Sequence, residues 1–263
     1  MTASPLVVAD SATMLRRNLR RMRRYPSLTF FIAGMPVVFL LLFVFVLGGT
    51  MGAGLGLAGG GRADYVTYLV PGILMITVAG AAQGTAISVS MDMTTGIIAR
   101  FKTMDIARVS VLTGHVIGSV IQTMIAIAIV MVVAVLIGFR ATTGPLEWAA
   151  AAGLLVLTAF AISWLSVALG MSAKSVETAS NLPMILILLP FLSSAFVPTE
   201  SLPDGLSWFA EHQPFTPLIE TVRGLLLGTP IGTSGVVAVG WCLVISALGY
   251  VWARRLYDRD PAA

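Results

Sequence analysis

The sequence predicts an all-α polytopic membrane protein with six transmembrane helices, an N-terminal interfacial helix and an external re-entrant helical segment. Three observations lead there. Of 263 residues, 57% are hydrophobic and only 11% charged, with a mean hydropathy of +0.93; an ordinary soluble domain carries roughly 25% charged residues. Six apolar runs approach or exceed the length of about 20 residues that crosses a hydrocarbon layer of about 30 Å as a helix. When the chain is threaded back and forth through those runs, thirteen of its sixteen Lys and Arg residues fall on one side.

The first element, residues 10–25, has an N-cap candidate in Asp10 or Ser11, apolar Leu15, Leu19 and Met22 at i, i+4 and i+7, and Pro26 to close it. Arg16, Arg17, Arg20, Arg21, Arg23 and Arg24 occupy other positions. This reads as an amphipathic helix on the inner leaflet, its arginines anchoring it to anionic lipid. A surface for a cytoplasmic partner is compatible with that role.

The spans follow at 28–48, 66–91, 116–138, 148–171, 182–196 and 235–253. None has the alternation of barrel strands, and a helix satisfies its own backbone in lipid. The first run, at 21 residues, is longer than the roughly 7 to 15 of a signal-peptide core. It is retained as a helix. The fifth has 15 residues and contains Pro190, so its crossing needs tilt or local thinning.

Between the spans, residues 48–65 hold eight glycines among eighteen and lack the Gly-Lys-Ser or Gly-Lys-Thr of a phosphate-binding loop. A flexible external connection is expected. The largest cytoplasmic loop, 92–110, places Ile97, Phe101 and Met104 at i, i+4 and i+7, with Arg100, Lys102, Asp105 and Arg108 on other faces. Such a helix lies on lipid or docks in a protein groove, and pattern alone leaves both open. Residues 197–228 are external by charge yet apolar. Leu202, Leu206 and Phe209 share one helical period; Thr216 and Pro217 open a second helix through Leu218, Ile219, Val222, Leu225 and Leu226, and Gly228 stops it. This segment is expected to dip into the outer leaflet, with Glu220 and Arg223 paired on its exposed face.

The charge asymmetry puts both termini in the cytoplasm of a plasma-membrane protein. It also accounts for a pI near 9.6 without nucleic acid. At these boundaries no span contains Asp, Glu, Lys, Arg or His, so the chain carries none of the mid-membrane ionisable groups of ion-coupled pumps. His115 and His212 sit near span ends, Ser163 and Ser166 have no His or Lys partner within the spans, and Cys242 is alone. No catalytic centre, metal or bound cofactor is predicted. Gln83 and Gln122 are the mild polar groups inside. Gly80-x-x-x-Gly84 and Gly114-x-x-x-Gly118 allow close helix approach within a subunit or at a dimer seam.

Two stretches are more specific. The run Gly96-Ile-Ile-Ala-Arg-Phe-Lys-Thr-Met-Asp-Ile-Ala-Arg108 and the run Phe191-Leu-Ser-Ser-Ala-Phe-Val-Pro-Thr-Glu-Ser-Leu-Pro-Asp-Gly-Leu-Ser-Trp-Phe-Ala-Glu-His-Gln-Pro-Phe-Thr-Pro217, continuing to Arg223-Gly-Leu-Leu-Leu-Gly228, resemble the permease subunits of type-2 ABC exporters. The likeness is particular to the daunorubicin-resistance branch of actinobacterial drug exporters and covers essentially the whole chain.

The resemblance implies a six-helix permease that dimerises with a second copy or a paralogue and pairs with a cytosolic ATPase, on which ATP and Mg reside. The loop after the second span then becomes the coupling helix, with Arg100, Phe101, Lys102, Thr103, Met104, Asp105 and Arg108 at the ATPase. Asp105 stands where the family often has proline, a departure that bears on the shape of the turn. Substrate is expected to pass between two permeases along spans two and five, with Met75, Gln83, Phe191 and Phe196 as path or gate residues. The expected function is ATP-driven export of a hydrophobic or amphipathic compound, drug-like or lipid-like. The rival classes are a non-transporting scaffold or immunity-type protein and an intramembrane lipid-modifying enzyme.

Overall fold

The computed structural model describes residues 4–24, 26–49, 62–96 and 108–258. All regular structure among them is helical: α1 (Ser4–Arg24), α2 (Pro26–Leu42) continued by a π turn (Phe43–Leu47), α3 (Arg62–Thr94), α4 (Arg108–Leu136), α5 (Pro145–Ser172), α6 (Val176–Asn181), α7 (Met184–Leu188), α8 (Asp204–His212), α9 (Phe215–Leu227) and α10 (Ser234–Asp258).

Four of these helices are long and apolar enough to cross a membrane: α3, α4, α5 and α10. They coincide with the second, third, fourth and sixth predicted spans. The first span corresponds to a shorter apolar helix, and the fifth is not one continuous helix. Pro183 caps α7, Pro190 sits in a single 3-10 turn from Leu189 to Leu192, and Ser193 is extended. A proline has no N–H to give and its ring crowds the preceding turn, so two of them seven residues apart divide the apolar run.

The arrangement is centred on α3. In its apolar window 83% of residues are buried, against 22% for α10, so α3 is ringed by its neighbours and α10 packs on one side only, against α5 and α9. The main core runs along α3 between α4, α5 and α9, with Tyr65, Leu69, Ile73 and Met75 fully buried. A second core lies where α3 stops and α4 starts, here termed the near end. There Trp164 of α5 meets Tyr250 of α10 edge-on at 5.0 Å. At the far end the Thr142 N–H and hydroxyl and the Thr143 hydroxyl donate to the carbonyls of Leu226 and Leu227, which have no partner inside α9. Gly228 terminates α9 in the left-handed region at φ +71°, as its position predicts.

Two expected boundaries move. Helix α1 begins at Ser4, so Asp10 lies inside it rather than at its N-cap. Helix α9 begins at Phe215 behind Pro214, and Thr216, expected as its cap, turns its hydroxyl back to the Ala210 carbonyl.

Candidate functional site

The near end holds an ionic cluster that local sequence patterns concealed. Arg17 of α1 pairs with Asp92 of α3, and His115 Nε2 of α4 stands 3.2 Å from the same carboxylate oxygen. Asp92 and His115 are only 4% and 6% exposed. A buried carboxylate is tolerable when paired and hydrogen-bonded. Both residues lie within helices, Asp92 near the end of α3 and His115 near the start of α4.

Helix α1 reaches Asp92 because α4 is grooved for it. A Cβ at Gly114 would stand 2.5 Å from the Met14 Cβ, and one at Gly118 would stand 3.1 Å from the Asn18 Cβ. The Asn18 amide donates to the Gly114 carbonyl at 2.8 Å. The Gly114-x-x-x-Gly118 pair is thus the seat of α1 within one subunit. Arg17 shares the buried face with Met14 and Asn18. It faces the bundle, whereas Arg16, Arg20, Arg23 and Arg24 are exposed. The side chain of Arg21 lies outside what the structure describes.

From His115 an apolar cavity of about 760 Å³ extends between α2, α3 and α4 to Phe191. Gly80 and Gly84 give it room on α3, since a Cβ at Gly80 would meet nothing within 4 Å and one at Gly84 only the Ile32 tip at 3.6 Å. Gln83, expected on the path, lines it. Its amide nitrogen donates to the Ser180 carbonyl at 2.8 Å. Gln122 lines the opposite wall and donates to Thr29 Oγ1 at 3.1 Å. A chain of hydroxyls lies beside it: Ser163 donates to Ser119 at 3.0 Å, Ser119 to Thr85 at 2.5 Å, and Thr85 to the Ala81 carbonyl at 3.1 Å. Met75, also expected on the path, is instead fully buried in the core and does not line the cavity.

The far mouth carries four aromatic rings. Phe191 stacks on Phe196 at 5.1 Å, Phe39 meets Phe191 edge-on at 5.6 Å, and Phe43 lies 4.5 Å from Phe196. The structure thus joins the two predicted gate residues to two partners from the α2 segment that periodicity did not single out. Their backbone is held from behind. Gly72 accepts Ala195 so closely that a Cβ there would stand 2.6 Å from the Ala195 Cβ. Arg223 donates to the carbonyls of Ser194 at 2.7 Å and Tyr68 at 3.3 Å, with its guanidinium 4.0 Å over the Tyr68 ring. The Tyr68 hydroxyl donates to the same Ser194 carbonyl at 3.1 Å. Burial draws the guanidinium below its ordinary pKa, and the neighbouring Tyr68 and Glu220 act the other way.

The expected surface pair of Glu220 and Arg223 is therefore replaced. Arg223 turns inward, and the Glu220 carboxylate accepts from Ser234 at 3.0 Å. An inward arginine on a half-apolar helix gains stacking and two carbonyl acceptors, which an i, i+3 surface pair does not offer.

Of the residues expected at the coupling surface, Arg100, Phe101, Lys102, Thr103, Met104 and Asp105 lie outside the described residues. Arg108 opens α4, so their segment joins the two helices that carry Asp92 and His115. Among the described residues no group of three His, Cys, Asp or Glu side chains is placed to hold a metal ion.

Comparison with known proteins gives concordant matches. The profile of the family described as ABC-2 type transporter matches residues 11–227. The chain is 29% identical over 265 residues to the daunorubicin resistance ABC transporter permease protein DrrB1 of Streptomyces coeruleorubidus, covering 99% of this chain and 90% of that one. It is 24% identical over 258 residues to the probable doxorubicin resistance ABC transporter permease protein DrrC of Mycobacterium tuberculosis, covering 94% and 90%.

Proposed function

The chain belongs to the ABC-2 type transporter family, and from that premise we propose that it is the permease subunit of an ATP-driven exporter of hydrophobic or amphipathic compounds, powered by a separate cytosolic ATPase. The observation that carries the reading is the ionic cluster of Arg17, Asp92 and His115. It ties α1, α3 and α4 together beside both ends of the 97–107 segment, and all three helices line the cavity. Force applied to that segment by an ATPase reaches the cavity through packed helices rather than through a loop.

In this reading the near end is cytoplasmic, as are both termini, and the chain crosses the plasma membrane six times. The crossings comprise the four long helices, the α2 segment, and the broken α6–α7 stretch with its 3-10 turn. The external segment from Val197 re-enters the outer leaflet through α8 and α9. Substrate enters from the cytoplasmic side, and the four phenylalanines at the far mouth form the outer gate. ATP-driven closure of the ATPase shifts the population between two bundle arrangements. The exposed apolar residues Met35, Val38 and Leu42 of α2 and Met184, Ile185 and Leu188 of α7 offer a face to a second permease. Drug-like cargo is supported by the drug-resistance names of both relatives.

The test is co-purification with an ATPase encoded beside the chain, followed by ATP turnover and vesicle transport with Phe101→Ala and Arg108→Ala. The expected result is retained ATPase binding sites with transport reduced at least about tenfold. Normal coupling in both variants defeats the coupling assignment. Uphill pumping by the lone chain under an ion gradient defeats the reading as a whole.

A further inference from the structure

We infer that α1 is a hinged door on the near end of the cavity: docked on α4 it completes the cavity wall, and undocked it opens that wall. The inference deepens the export reading and rests on it only for what passes through; the movement itself requires neither ATP nor a partner.

Helix α1 is part of the wall, since Asn18 and Met22 line the cavity together with His115 and Gly118 of α4. It runs along α4 in the same direction, with Met14 at Gly114 and Asn18 four residues on at Gly118. Yet it is lightly built into the bundle. Neither core holds a residue of α1, and Met14 is its one buried apolar side chain among the described residues. Its packing is almost wholly on α4. A helix that puts so little apolar area into a core belongs to the low-stability end of a structure. The hinge is equally local. Tyr25 alone separates α1 from α2, and Pro26, which has no N–H to give, opens α2, so the helical ladder is interrupted there.

Two polar contacts latch the door, the Asn18 amide on the Gly114 carbonyl at 2.8 Å and Arg17 on Asp92. Neither acceptor is stranded when α1 leaves. The Gly114 carbonyl lies inside α4, whose own ladder supplies a donor. Asp92 keeps His115 Nε2 at 3.2 Å, which gives the third member of the ionic cluster its use. On the other side, Arg17 rejoins the exposed Arg16, Arg20, Arg23 and Arg24 at an anionic lipid surface. Both positions are satisfied, as a two-state element requires. Asn18 and His115 face the cavity and also hold the latch, so whatever fills the cavity bears on the side chains that keep the door shut.

The full chain carrying Gly118→Cys is placed in nanodiscs of phosphatidylcholine and phosphatidylglycerol, without ATPase or nucleotide. Labelling by a water-soluble maleimide is followed at each thiol by mass spectrometry. Gly118 is buried against α1, a Cβ there standing 3.1 Å from that of Asn18, whereas the native Cys242 lies in the main core and reports general loosening. Arg17→Ala is expected to speed labelling at position 118 roughly five- to thirtyfold, the range for losing a partly screened ion pair, and to leave Cys242 protected. Asn18→Cys, on the opposite side of the same contact, is the reporter if Gly118→Cys does not fold. An unchanged rate, or labelling of Cys242 that rises in step, overturns the inference.

A second arm locks the door. In Asn18→Cys/Gly118→Cys/Cys242→Ala the Cβ separation of 3.1 Å is a few tenths of an ångström below the roughly 3.5 Å at which disulfides begin. With the ATPase reconstituted, oxidation is expected to stop export and dithiothreitol to restore it. Full-rate export through the cross-linked chain, or a loss that dithiothreitol does not reverse, overturns the inference. Export absent from the unsubstituted chain counts against the export reading alone, and the labelling then decides the door by itself.

Discussion

Replacing Arg17 with alanine leaves Asp92, 4% exposed, facing His115 alone. Removing one partner of a fully buried ion pair costs about 3–5 kcal/mol, because a charge stays behind without compensation. Two features reduce that figure here. The Arg17 side chain is 34% exposed, so part of its attraction is already screened by solvent, and His115 still hydrogen-bonds the carboxylate. The expected loss is about 1–2 kcal/mol, or about 2–8 °C in Tm for a chain of this length. Arg16, one residue away and exposed, should change Tm by no more than about 0.5 kcal/mol allows, roughly 1–2 °C. The assay is thermal unfolding of Arg17→Ala, Arg16→Ala, Asp92→Asn and the Arg17→Ala/Asp92→Asn double variant in one detergent. The double variant should recover at least about 1 kcal/mol relative to the sum of the singles, since neither charge is then stranded. Additive effects, or equal losses from Arg16 and Arg17, would refute the claim that α1 is keyed into the bundle by one arginine.

Gly114→Leu should displace α1 and expose it to protease, because the new Cβ would stand 2.5 Å from that of Met14. Gly114→Ala combined with Met14→Ala should protect α1 better than Gly114→Leu, as read by limited proteolysis. Arg223→Met removes donors to the carbonyls of Ser194 and Tyr68 and the cation over the Tyr68 ring. Hydrogen exchange around residues 193–196 should accelerate about tenfold or more, with α10 unchanged as the internal control.

What was legible in the sequence was whatever a local period or length encodes. Long apolar runs became α3, α4, α5 and α10, and Pro190 announced that the fifth run would be troubled. The terminating Gly228 and the close-approach pair at Gly114 and Gly118 were equally readable, since a left-handed cap and a missing side chain are properties of single residues. The ionic cluster was not. Asp92 and His115 are single polar residues at the edges of apolar runs, and Arg17 is one arginine among six. Only the docking of α1 on α4 decides which of those arginines points inward. The stripe read on α1, Leu15, Leu19 and Met22, is half-buried, while the adjoining face at Met14 and Asn18 carries the contact. The same reason hid Phe39 and Phe43, which no period singles out and which meet Phe191 and Phe196 only through the turn at Ser193.

The seat of α1 also orders events during synthesis. Asn18 and its acceptor Gly114 are separated by 96 residues, a delay of about 5–20 s at roughly 5–20 residues per second of translation. For that interval the helix has no groove to enter, and in the proposed orientation a basic amphipathic segment is expected to adsorb to anionic lipid. In that orientation the exposed Arg16, Arg20, Arg23 and Arg24 would hold this waiting stage, and Arg17 would meet Asp92 once α4 inserts. Biogenesis and the finished architecture thus draw on opposite sides of one helix.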